Sequence, residues 1–170
     1  MDDRNTRTVK FITQTAVLLA ITLAVQMLGL PQPFTGPAVN AMLLLTCIYV
    51  GIAGGVIVGL LTPWIAFLRG ILAPPLAPMI PFIMLGNAVL VIVFGLARRF
   101  WGKGVAGSAA GIVIGAIVKY LVLSSAVRFL VEVPPKIAVA MQTPQLVTAL
   151  VGGVAALVIE RALNAALRRG

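Results

Sequence analysis

No histidine occurs in this 170-residue chain, and its only acidic side chains are Asp2, Asp3, Glu132 and Glu160. Proton-transfer catalysis at neutral pH normally draws on His or on paired carboxylates. Asp2 and Asp3 fall in an N-terminal tail, Glu132 in a loop, and Glu160 beside Arg161 near the end of the last apolar run. No pair is placed for acid–base work. The single Cys47 excludes an internal disulfide. Without His or an acid pair it excludes a metal cluster too, and it reads as a small apolar residue inside a helix. No catalytic residue, metal ligand or cofactor is expected.

Charge is scarce as well. Only 10% of the residues are charged and 61% are hydrophobic. A soluble domain carries roughly 25% charge and about half apolar residues, so this surface is built for lipid. The apolar runs approach the roughly 20 residues that cross a bilayer as a helix. They lack the alternation of barrel strands. The composition therefore predicts an all-α integral membrane protein. The net charge of +9 does not indicate nucleic acid, because the basic residues cluster between apolar runs. Arg4, Arg7 and Lys10 precede the first run as in a signal peptide, but that run is long and others follow. It reads as a retained first helix.

One run, residues 37–68, holds 32 residues without a charge. As a single helix it would extend about 48 Å, too long for a core of about 30 Å even when tilted. Gly51-Ile52-Ala53-Gly54-Gly55 offers a turn. The spans become 9–29, 38–51, 54–69, 79–97, 105–127 and 144–167, a six-helix bundle in one transmembrane domain over 1–170. With the N-terminus inside, nine Lys and Arg fall inside and three outside, Lys119 lying within a span. Five spans would divide the same twelve evenly. The positive-inside rule thus favours six spans with both termini cytoplasmic. Ten of the eleven prolines then fall in or beside three outer loops, 29–39, 70–81 and 128–144. Proline fixes φ and removes a donor, so stiff, non-helical loops are expected there, over a ligand-facing side.

Lys119 is the most informative residue. A charge inside a membrane is costly and marks a functional site by default. Gly107, Gly111 and Gly115 precede it at four-residue spacing, so it continues a small-residue face that should pack inward. Snorkelling to the interface is the competing reading. Asn87, Arg69, Tyr120, Trp64 and Asn40 fall at similar depth in the outer half. Two cations with no buried acid call for an anion, so these six residues are the candidate substrate site for a small molecule bearing a carboxylate or similar group.

Gly102-Lys103-Gly104 fails as a phosphate-binding loop, since Ala97 and Gly104 occupy positions that require Gly and Ser or Thr. No acid lies at mid-membrane for a proton relay. Uphill transport would need an energised partner. In the first span Ala16, Ala20 and Ala24 form a smooth stripe suited to close helix docking.

Six short spans, the stretch Ala16-Val17-Leu18-Leu19-Ala20, and the run from Thr35-Gly36-Pro37 through Thr62-Pro63-Trp64 to Pro78-Met79-Ile80-Pro81 resemble the substrate-binding S components of energy-coupling factor transporters. The resemblance spans essentially the whole chain. It implies a multi-pass protein of a prokaryotic plasma membrane that takes up a vitamin or related micronutrient. It implies docking through Ala16 and Ala20, with Ala24 extending the face, on a transmembrane coupling (T) subunit that carries two cytoplasmic ATPase subunits. No ligand contact carries over, because the residues match no signature of the thiamin, riboflavin or biotin groups. The alternatives are a membrane scaffold without a ligand and a stand-alone secondary carrier.

Overall fold

The protein is described by a computed structural model over residues 3–168. Asp2, considered above among the acidic residues, and Arg169, one of the nine basic residues counted inside, lie outside the described residues. Seven α-helices follow in order: α1 (Asp3–Met27), α2 (Gln32–Tyr49), α3 (Ile52–Leu68), α4 (Ile80–Phe100), α5 (Val105–Ser125), α6 (Pro135–Ala140) and α7 (Thr143–Leu167). A 3₁₀ turn (Pro74–Met79) leads into α4, and a π-turn (Ala126–Leu130) ends α5. No strand occurs among the described residues. Among the described residues, four segments are long and apolar enough to cross a membrane: Asp3–Met27, Pro74–Phe100, Val105–Leu130 and Pro135–Leu167. α3 is a shorter apolar helix, and α2 dilutes its apolar residues with Gln32, Pro33, Pro37 and Asn40.

The long uncharged run breaks at Gly51, whose φ of +108° is open to glycine and strained for other residues. The connections are more helical than proline content suggests. Helix α2 already starts at Gln32, so residues 32–39 are helix and not loop. Pro33 sits in the first turn, where a missing N–H costs nothing because that donor has no partner in the helix. Likewise α6 opens at Pro135 inside the third connection, and Asp3 begins α1 and is not part of a free tail. Arg128 Nη2 donates to Gln142 Oε1 at 3.0 Å, tying the two ends of that third connection together.

The core is a layer of Leu43, Leu44, Val58, Leu90, Val91 and Phe94, all fully buried. Threonines inside the apolar helices return their hydroxyls to their own backbone, as Thr22 Oγ1 does to the Leu18 carbonyl at 2.7 Å. α4 packs closely on α5 because Gly111 and Gly115 leave room for the backbone of Phe94 and Leu90. α7 crosses α2 at Gly152, where a Cβ would lie 2.5 Å from the Pro37 carbonyl oxygen and 2.7 Å from Asn40 Cβ. Helix α1 is peripheral and packs on α2 and α3. Thr15 and Thr22 face inward, while Ala16, Ala20 and Ala24 are exposed.

Gly152→Ala should force α7 off α2 and destabilise the protein by about 1–3 kcal/mol. Thermal unfolding in detergent measures this, and a wild-type midpoint would show that the close crossing is not required.

Candidate ligand-binding site

Where α2, α4 and α5 meet, Lys119 is 3% exposed. Its Nζ donates to Asn40 Oδ1 at 2.7 Å and to Asn87 Oδ1 at 2.8 Å. Asn87 Nδ2 in turn donates to the Gly59 carbonyl at 3.0 Å, which fixes the orientation of the amide. The two bonds from the Lys119 ammonium are charge-assisted and stronger than neutral ones. The close helix approach they need comes from glycine. A Cβ on Gly59 would lie 3.1 Å from Asn87 Cβ, and one on Gly86 would lie 3.2 Å from Lys119 Cγ. The Gly107–Gly111–Gly115 face is buried with Lys119. The ammonium is held inside the bundle and does not reach for the interface.

Lys119, Asn40 and Asn87 line a cavity of about 300 Å³. That is the lower end of the range for small-molecule sites. Its walls are largely apolar, including Val39, Pro63, Ile83 and Met141. All three proline-bearing connections contribute: Gln32 opens the helix after the first, Leu72 and Leu76 come from the second, and Lys136 from the third. Among the described residues, no Asp or Glu lines it. Two lysines therefore face a cavity without an acidic counterpart. A lysine ammonium has three donors, and the two asparagines engage two of them.

Six candidates were expected at one site, and three of them meet. Lys119, Asn87 and Asn40 converge, whereas Arg69, Tyr120 and Trp64 do not line the cavity. Arg69 is exposed at the end of α3, Trp64 is 49% exposed, and Tyr120 is half-buried. Gln26, Thr35, Thr62, Lys136 and Gln145 line the cavity and escaped the sequence reading. A glutamine within an apolar stretch, as at 26 and 145, was the available signal. Gln26 Oε1 is the buried side-chain oxygen that has no hydrogen-bond partner among the described residues.

Glu160 also has a different partner from its chain neighbour Arg161. Arg98 Nη1 and Nη2 donate to the two Glu160 oxygens at 2.8 and 2.7 Å, and the guanidinium stands 5.5 Å above the Phe94 ring. Arg98 lies roughly 16 Å along α4 from Asn87, so this closed pair is remote from the cavity. No group of three or more His, Cys, Asp or Glu able to hold a metal occurs among the described residues.

One family model, described as "ECF transporter, substrate-specific component", matches residues 10–161. No curated protein and no solved structure gives a significant match.

Asn40→Leu removes one charge-assisted bond to Lys119 and should cost about 1.5–3 kcal/mol of stability. A thermal midpoint equal to wild type would show that Asn40 does not hold the ammonium.

Proposed function

From the premise that this chain belongs to the family of ECF transporter substrate-specific components, we propose that it captures a small anionic micronutrient, of the vitamin class, in the Lys119 cavity. The observation that carries this reading is a buried ammonium lining a cavity that has no acidic residue. The ligand's carboxylate or similar group meets Lys119, with Asn40 and Asn87 holding the ammonium in place. Arg69, Tyr120 and Trp64, which do not line the cavity, are not assigned to this binding.

The proposed setting is the plasma membrane of a prokaryote. Helices α1, α2, α3, α4, α5 and α7 span it as one domain over 1–170, with both termini cytoplasmic. Arg98, Arg99 and Lys103 at the α4–α5 turn then face inward, as the positive-inside rule asks, and the cavity opens outward. With no nucleotide-binding motif in the chain, work comes from a T subunit and two ATPase subunits. Ala16, Ala20 and Ala24 supply the docking face. Their support is that they lie on the exposed side of a peripheral helix, away from the cavity.

Lys119→Met should weaken binding of anionic ligands by about tenfold to a hundredfold, read by native mass spectrometry or ligand-induced thermal shift. Equal affinity would remove Lys119 from the site. Absence of both saturable binding and copurifying ATPases would favour the scaffold reading. Ala20→Trp should abolish copurification with the T subunit while sparing ligand binding, and intact assembly would count against the alanine face.

A further inference from the structure

The polar groups around the cavity are unequally engaged. Asn40 and Asn87 give their oxygens to Lys119. Thr62 donates its hydroxyl to the Val58 carbonyl at 2.6 Å, and Thr35 donates to the Leu30 carbonyl at 2.7 Å. Gln26, in the last turn of α1, also lines the cavity, and its Oε1 is buried without a partner among the described residues. A buried acceptor left unpaired is destabilising, and native proteins rarely keep one without a reason. Gln32 and Gln145 line the cavity too, but among the described residues Gln26 Oε1 is the side-chain oxygen that is both fully buried and unpaired.

We infer that Gln26 is a specificity-determining residue, selecting ligands that carry a hydrogen-bond donor, such as an amide or ureido N–H, besides their anionic group. The inference rests on the reading of the cavity as an anion site and narrows its substrate class. Lys119 supplies attraction to any anion of suitable size. Gln26 Oε1 accepts from the ligand's N–H and discriminates against molecules that present only carbon there. A site built around a hydrogen bond rejects an analogue lacking it far better than an apolar pocket rejects a misfit.

The test compares purified wild type, Gln26→Met and Lys119→Met. Methionine keeps the length of the side chain and removes the acceptor. Without ligand, Gln26→Met should unfold at the wild-type temperature or above, because it deletes an unpaired buried oxygen. A fall of more than about 4 °C, corresponding to at least 1 kcal/mol, would show a structural partner for Gln26 and overturn the inference. The probes are small carboxylates in matched pairs, such as hippurate against N-methylhippurate and ureido acids against their N-methyl forms. Wild type should prefer the N–H member by about tenfold to a hundredfold, and Gln26→Met should abolish the preference. Wild-type binding that depends on Lys119 but ignores N-methylation would overturn the Gln26 role and leave the anion site standing. If no carboxylate shifts the wild type, or Lys119→Met binds them equally, the anion-site reading fails and this inference fails with it.

Discussion

The clamp of two neutral amides on one buried ammonium is the constraint on which the rest of the cavity depends. Lys119 reaches Asn40 on α2 and Asn87 on α4, and Asn87 reaches the Gly59 carbonyl on α3. Four helices are thereby held by one charge. The clamp is short, so the helices must approach closely, and Gly59, Gly86 and Gly152 are where they do. A carboxylate in place of either asparagine would have satisfied the lysine and cancelled its charge. Amides satisfy its donors and leave the charge intact. Stability of this end and the proposed attraction for an anion would thus come from the same group.

The far end of the bundle solves a similar problem differently. Arg98 is also largely buried, but Glu160 takes its guanidinium in two parallel bonds and the Phe94 ring lies beneath it. That pair is electrically closed and fastens α4 to α7. A bidentate pair gives geometric specificity and leaves no field to recruit a ligand. The contrast between a closed pair at one end and an uncancelled ammonium at the other is the reason the proposed small-molecule binding is assigned to the Lys119 end. Helix α1 stands apart from both. It packs on α2 and α3 through Thr15 and Thr22 and keeps its alanine stripe free, so a partner can meet that stripe without disturbing the clamp.

What the sequence reveals here is depth along the membrane normal, and what it hides is azimuth around each helix. Lys119 is conspicuous as a charge within an apolar run, and the glycines four residues apart give its face, so its inward direction is legible. The break at Gly51 is legible from the length of the run together with the glycines at its centre. Trp64 and Tyr120 lie at suitable depth, yet one residue along a helix turns the side chain by about 100°. Thr62 and Pro63 line the cavity and Trp64 has rotated off it; Lys119 lines it and Tyr120 has not followed. Partners 79 and 62 residues apart, as in Asn40–Lys119 and Arg98–Glu160, have no local signature. The proline-bearing connections misled because proline in a first helical turn is compatible with helix, as Pro33 and Pro135 demonstrate.

In the proposed anion site, the clamp also sets how a ligand would bind. Two of the ammonium's three N–H donors are engaged by asparagine, which leaves one for an incoming anion. Binding then adds a bond to a positioned charge and need not break one. Little reorganisation is required at the charged atom, and preorganisation of this kind converts into affinity. The surrounding walls are apolar, so the attraction operates in a medium of lower dielectric than water and is correspondingly stronger. Coulomb attraction alone is indifferent to the rest of the ligand. Selectivity must come from groups that are directional and not yet committed. Gln26 Oε1 is such a group on this cavity, set on the end of the same helix whose opposite face carries the alanine stripe. Recognition of the ligand and contact with a partner would therefore converge on α1, the helix least embedded in the bundle.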